Sequence, residues 1–212
     1  RGQVSGRARH SFDKPSAALL TNRHRPWMQM QEDERSPFTL PLLLDASSPF
    51  VQVGVPSETA WTAWHGAKET AVTCLFEGVR QCMEKANSRA SSVDAILYCE
   101  GPGSTLGLRV ALTLAKTLRS QVRPEPRCFS YNALHAAALL CENPDMPILT
   151  DYRQGQWYLR ETSGEIRVLQ ETEAQLVAAE SQPLPQRKSW KKFPQTGPAV
   201  DHDLRKLEGL RS

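Results

Sequence analysis

The chain has 212 residues, which suits one large domain or two small lobes around a hydrophobic core. Hydrophobic residues make up 40% of it, the mean hydropathy is −0.47, and no apolar run approaches the roughly 20 residues of a membrane span, so we expect no membrane association. Lys and Arg outnumber Asp and Glu by seven to four in residues 1–37 and by seven to three in residues 183–212, whereas residues 38–182 carry twelve basic against sixteen acidic residues. Because binding to phosphates needs clustered cations, any contact with nucleic acid would use the two basic ends.

The first 37 residues show no sustained hydrophobic periodicity, and we predict a disordered or weakly ordered basic extension over residues 1–37. They lack the apolar segment of a signal peptide. The five cysteines form no C-x-x-C pair, and four of them lie in apolar segments. We therefore predict reduced, buried cysteines in a cytoplasmic protein.

A first lobe is predicted over residues 38–143. The run LPLLLDASS reads as a buried strand that ends at Asp45, PFVQVGV as its hairpin partner, and residues 59–64 as a weaker third strand. Apolar residues at three-and-four spacing predict a helix over residues 66–86. A strand over 93–99, a helix over 104–120, the short strand RCFS and a helix that Ser130 would cap complete the lobe.

A short second lobe is predicted over residues 144–182. MPILTD, WYLRE and IRVLQ indicate three strands, and EAQLVAAE a short helix, which repeats the opening of the first lobe in reduced form. From residue 183 the composition changes to Pro, Lys, Gln and Ser, and we expect a basic tail over residues 183–212. The order of elements predicts an α/β fold, a mixed sheet with helices on both faces.

The stretch CEGPGSTLGLRVALTLAKTLR places a glycine loop between a strand and a helix. No Lys follows at the spacing of a Walker loop, and Leu106 stands where G-x-G-x-x-G requires its third glycine. The loop therefore predicts a sharp turn and a helix cap, with weak anion binding at the helix N-terminus as the alternative. Its residues are Gly101, Pro102, Gly103, Ser104 and Gly107.

The helix after this loop is apolar around nearly its whole circumference. A helix of this kind must be buried on nearly all sides. One face would lie on the sheet, and the surplus face would be covered either by a protein partner or by the second lobe and the 66–86 helix. The sequence leaves these two alternatives open.

No set of residues predicts catalysis by this chain, and no metal site is predicted, because no His or Cys has the spacing of metal ligands. Asp45 and Asp151 each end the first strand of a lobe and are the candidate ligand-side acids. In an actin-like nucleotide enzyme, such a pair of aspartates would hold magnesium and water. The alternative is that both acids only make hydrogen bonds at the ends of their strands.

Three stretches carry a resemblance to a known family: LLLDASSPFVQVGV, EGPGSTLGLRVALTLAKTL and ILTDYRQGQWYL. They resemble the opening hairpin, the GPGSFTG loop and helix, and the second-lobe strand and turn of the TsaB (YeaZ-like) family, relatives of the Gcp/Kae proteins. The resemblance implies an actin-like (ASKHA, ribonuclease H-like) fold of two lobes, with the second one truncated. Glu69 and Thr70 replace the family's usual His-Ser, and Thr105 replaces the aromatic residue of its loop.

The resemblance also implies a function. A TsaB-type protein is a non-catalytic partner in the synthesis of threonylcarbamoyladenosine on tRNA, and it forms a heterodimer with a TsaD-type transferase subunit through first-lobe helices. A TsaE-type ATPase joins the complex, ATP and a metal ion belong to the partner subunits, and tRNA is contacted indirectly or through the basic ends. The implied interface residues are Thr70, Val72, Thr73, Phe76, Leu108, Arg109, Leu112 and Lys116.

Two other functions remain open from the sequence. One is a small actin-like ATP-binding or acyl-transfer enzyme that uses Asp45 and Asp151. The other is a homodimeric scaffold in which the same helices pair two copies of the chain.

Overall fold

The structure, a computed structural model, describes residues 38–57, 61–143, 146–153, 155–185 and 199–211. The predicted extension over residues 1–37 lies outside the described residues, as does much of the predicted tail. In the part of the chain that the structure describes, none of the helices combines the length and the hydropathy needed to cross a bilayer.

A five-stranded mixed sheet forms the first lobe. Its strand order is β3-β2-β1-β4-β5. The first three strands are antiparallel, because short links join them as a meander, whereas β1, β4 and β5 run parallel with helices between them. The strands are β1 (Pro41–Asp45), β2 (Val51–Pro56), β3 (Trp61–Ala67), β4 (Ala95–Gly101) and β5 (Arg127–Asn132).

A four-stranded sheet forms the second lobe, and its order β8-β7-β6-β9 repeats the order β3-β2-β1-β4 of the first. Its strands β6, β7 and β8 are antiparallel, and β9 runs parallel to β6. This repetition confirms the predicted α/β class and the actin-like arrangement of two related lobes. The strands are β6 (Ile148–Arg153), β7 (Gln156–Arg160), β8 (Ile166–Gln170) and β9 (Gln182–Pro183).

Helices cover both faces of the first sheet. The helices are α1 (Ala71–Lys85), α2 (Thr105–Gln121), α3 (Ala133–Leu140) and α4 (Glu171–Val177), with 3-10 turns at Ala90–Ser92, Ala178–Glu180 and Leu204–Arg211. The larger core lies between the sheet and the pair α1 and α2. On the opposite face, Leu43 and Leu97 pack against Ala136 of α3 and Leu204 of the last 3-10 turn.

Two predicted element boundaries are wrong. The helix predicted from Gly66 begins only at Ala71, because β3 continues through Gly66, which pairs with Gln52 of β2. Ser130 does not cap α3: it lies inside β5, and its hydroxyl donates to Glu100. The cap is Asn132, whose side chain accepts a hydrogen bond from the amide of Leu134 at 2.9 Å.

The segment predicted as a tail from residue 183 onward rejoins the fold in its described parts. Leu184 and Val200 are buried in an apolar cluster between the two sheets, and Leu204 is 1% exposed. Val200 and the three residues His202, Asp203 and Leu204 are all buried. Composition suggested a solvated tail because the intervening residues 186–198 are rich in Pro and Lys.

Candidate functional site

A cleft of about 1140 Å³ lies between the two lobes. The first lobe contributes the β1–β2 turn, the N-terminal ends of α1 and α2 and the glycine loop, and the second lobe contributes the end of β6. The lining is mostly polar or small where the lobes face each other, and it includes Ser47, Thr70, Gly103, Asp151, Tyr152 and His202.

The glycine loop is packed directly against the β1–β2 turn. The amide of Ser104 donates to the carbonyl of Ser47 at 2.8 Å. A Cβ on Gly103 would overlap the same carbonyl, and a Cβ on Gly107 would overlap the carbonyl of Ala46. Gly101 has φ +118°, a backbone conformation that other residues rarely adopt. The glycines therefore allow α2 to begin in contact with the turn.

Two helices begin at the cleft, each with a hydroxyl cap. The Thr70 side chain accepts from the amide of Thr73 at 3.2 Å, and the Ser104 side chain accepts from the amide of Gly107 at 3.2 Å. The loop thus forms the sharp turn and the helix cap that the sequence indicated, with Pro102 lining the cleft. Weak anion binding by the loop remains a prediction.

Asp45 does not face the cleft; it is fully buried behind it. One carboxylate oxygen accepts from the amide and the hydroxyl of Ser47, both at 2.8 Å. The other accepts from the Tyr131 hydroxyl and from His202 Nε2, which lies 3.3 Å away. Burial by itself raises the pKa of Asp45, but the bonds from these three neighbours outweigh it, so its pKa is lower than usual.

His202 is the residue of this site that sequence reasoning missed. It is 3% exposed, and its Nε2 lies 3.3 Å from Asp45 and 3.5 Å from the hydroxyl oxygen of Ser47. Its Nδ1 is buried without a hydrogen-bond partner among the described residues. No local pattern in the sequence singled it out, because its partners Asp45 and Gln52 lie about 150 residues earlier in the chain.

Asp151 lies on the other side, in the lining of the cleft. Burial raises the pKa of its carboxyl group, which makes the uncharged form easier to reach than in water. Asp151 and Glu69 are the acidic residues in the lining of the cleft, whereas His202 and Ser47 line it and Asp45 does not. The structure does not place the two predicted acids on one open surface.

The donor set of Asp45 does not fit the magnesium ion that an actin-like nucleotide site implies. An ionised carboxylate offers about four lone-pair positions, and the four donors from Ser47, Tyr131 and His202 take them. Among the described residues, no group of three or more His, Cys, Asp or Glu side chains is placed to hold a metal ion.

A second candidate site is the outer surface of α1 and α2. Val72 is 52% exposed and Phe76 57%, and they lie one turn apart on the same face of α1. At the start of α2, Leu106 is 67% exposed and lies at the cleft, which it helps to line. Such large apolar side chains in water, on neighbouring helices, are typical of a docking surface.

The predicted interface residues fall into two groups. Thr70, Val72, Thr73, Phe76, Arg109 and Lys116 are exposed. Leu108 and Leu112 are half-buried because they pack against the apolar clusters of this chain. Of the two alternatives for the surplus face of α2, packing within this chain covers it at Leu108 and Leu112. The solvent side of α2 carries Arg109, Thr113 and Lys116, and its exposed apolar side chain is Leu106.

A comparison with sequence models of protein families gives a match over more than half of the chain. The sequence model of the family described as "TsaD: tRNA N6-adenosine threonylcarbamoyltransferase" matches residues 68–199. No curated protein matches the chain at a significant level.

Solved structures give weaker likenesses. YeaZ from Pseudomonas aeruginosa is 22% identical over 62% of this chain and 64% of its own, with a TM-score of 0.49. The ethanolamine utilization protein EutJ from Carboxydothermus hydrogenoformans is 12% identical over 70% of this chain and 57% of its own, with a TM-score of 0.41. The chain thus spans less than two thirds of the length of these structures.

Proposed function

Because this chain belongs to the family of TsaD, the tRNA N6-adenosine threonylcarbamoyltransferase, we propose that it takes part in that tRNA modification as a partner subunit without a catalytic centre of its own. The family match confirms the Gcp/Kae-type kinship that the sequence motifs indicated. The observation that carries the proposal is the exposed apolar surface at α1 and the start of α2, defined here as the docking surface: Val72, Phe76 and Leu106.

The docking surface suits a protein partner with a matching apolar helix face. Val72 and Phe76 would lose most of their contact with water on docking, and each would contribute roughly 1.5–3 kcal/mol if fully buried. Thr73 of α1 and Arg109 and Lys116 of α2 are exposed polar residues, which would supply the polar rim typical of interfaces.

The cleft supports the non-catalytic part of the proposal. Asp45 has its oxygen atoms occupied by groups of this chain, and Asp151 faces the cleft as the acid of the second lobe. An enzyme that used Asp45 and Asp151 together would need both carboxylates open to one ligand. The proposed partners are therefore a TsaD-type transferase subunit, which would carry the metal ion and the chemistry, and a TsaE-type ATPase; tRNA would be contacted indirectly or through the basic ends.

The test compares two single substitutions, one at an exposed phenylalanine of the docking surface and one at an exposed leucine outside it. Phe76→Glu should weaken binding to a purified TsaD-type subunit from the same organism at least tenfold, because a charge would be buried in the interface. Leu176→Glu is the matched control: Leu176 is 82% exposed, but it lies on α4 in the second lobe. Titration calorimetry measures both affinities, and circular dichroism checks that both variants fold.

The proposal fails if the unsubstituted chain forms no complex with the transferase subunit at micromolar concentration. It also fails if Phe76→Glu and Leu176→Glu bind equally well, since the docking surface would then be irrelevant. A homodimer that light scattering detects without partner, and that Phe76→Glu dissociates, would instead favour the scaffold alternative.

A further inference from the structure

Residues 199–204 form a short segment that contacts both lobes. Residues 199–204, the C-terminal strap, begin at the second lobe, where the amide of Val200 donates to the carbonyl of Pro183 at 2.9 Å. The strap ends on the first lobe with Leu204, which is 1% exposed.

A buried glutamine fixes the strap to the first sheet. Gln52 of β2 is 0% exposed, its side-chain amide donates to the carbonyl of His202 at 2.8 Å, and its side-chain oxygen accepts from the amide of Leu204 at 2.8 Å. These two bonds hold the backbone on both sides of Asp203, directly after His202. The imidazole is therefore positioned by the fold rather than by its own contacts alone.

We propose that His202 compensates the buried charge of Asp45 in place of a metal ion. Its imidazole, carried by the C-terminal strap, occupies the acceptor position of the carboxylate that a divalent cation would need. An ionised carboxylate only accepts hydrogen bonds, so Nε2 donates its proton to Asp45 and lies within reach of Ser47. A buried carboxylate requires such donors, because an uncompensated buried charge costs several kcal/mol.

His202 also lies at the border between Asp45 and the cleft. His202 and Ser47 line the cleft, and Asp45 does not. Loss of the imidazole would free one acceptor position of the carboxylate and connect it with the cleft. A carboxylate oxygen open to water is a ligand that Mg²⁺ and Mn²⁺ prefer. A variant without the imidazole should therefore bind a divalent cation at Asp45, which the wild-type chain should not.

The experiment measures thermal unfolding of the full chain with and without Mn²⁺, and it needs no partner, so its result is independent of the proposed function. His202→Ala should have a lower Tm than the wild type. Mn²⁺ at about 100 times its Kd should then raise the Tm of the variant by roughly 5–10 °C more than that of the wild type.

Two further variants assign that gain to the carboxylate. Asp45→Asn combined with His202→Ala should lose the extra response to Mn²⁺. His202→Gln retains a side-chain N–H donor, so its Tm should lie closer to that of the wild type, with a smaller response to Mn²⁺.

The proposal is overturned if His202→Ala shows no extra stabilisation by Mn²⁺, or if the double variant keeps it. It is also overturned if Mn²⁺ stabilises the wild type and Asp45→Asn removes that effect, since Asp45 would then be an open cation site. If His202→Ala does not fold alone, refolding with Mn²⁺ decides: recovery of the folded chain supports the proposal, and no recovery overturns it.

Discussion

Single residues at the glycine loop decide where α2 lies. Gly103 and Gly107 face the carbonyl oxygens of Ser47 and Ala46 so closely that no Cβ fits. The sequence predicted a turn from the glycines because their backbone is conformationally free. The structure adds a steric role, since the helix begins in direct contact with the β1–β2 turn that positions Asp45.

The steric role predicts a specific loss of stability. Gly107→Ala should lower the free energy of unfolding by at least about 1–3 kcal/mol, because the added methyl group overlaps backbone that cannot move without shifting β1. Urea unfolding followed by circular dichroism measures the change. Thr113→Ala, on the exposed side of the same helix, is the control and should change stability by less than about 0.5 kcal/mol. Equal effects of the two substitutions would contradict the close contact.

At the scale of elements, α3 connects the two sheets through a buried pair. His135 of α3 accepts at Nδ1 a hydrogen bond from Arg160 Nε of β7, 3.2 Å away. Burial, with the Arg160 charge as a second cause, lowers the pKa of His135. The neutral imidazole is thus part of the contact between the lobes, as a satisfied core residue rather than a ligand.

This pair predicts how stability depends on pH. The unfolded chain takes up a proton at His135 near pH 6.5, whereas the folded chain does so only at lower pH, so stability falls as the pH drops below about 6.5. His135→Asn offers an acceptor oxygen in place of Nδ1 but does not titrate, so part of this decline should disappear. The free energy of unfolding at pH 7.5, 6.5 and 5.5 measures it. The same decline in both proteins would show that other groups cause it.

At the scale of the whole molecule, the C-terminal strap contacts both lobes. Leu204 packs against Leu43, Leu97 and Ala136 on the face of the first sheet opposite α1 and α2. The second lobe, short in sequence, is closed by a segment that returns to the first. Residues 199–204 thus contact the second lobe at Pro183 and the first lobe at Leu204.

A core position at the end of the chain predicts a global loss of stability. Leu204→Ala should lower the free energy of unfolding by about 2–5 kcal/mol, as expected for a buried leucine. Leu176→Ala, at an exposed leucine, is the matched control and should have little effect. Differential scanning calorimetry measures both changes. An unchanged Tm for Leu204→Ala would mean that the end of the chain is not part of the fold.

The sequence by itself determined the order of strands and helices as far as α4, the glycine turn and the kinship of the chain, because hydrophobic period, turn residues and motifs are local properties. It missed β9 and the last 3-10 turn. The resemblance implied Val72 and Phe76 as interface residues. The pattern left open what covers the apolar face of α2, and the structure shows that Leu108 and Leu112 pack within the chain. Only the tertiary structure showed that the buried carboxylate of Asp45 accepts a hydrogen bond from His202, 157 residues further along the chain. Such a contact depends on where the chain returns after residue 185, and no local pattern encodes that path.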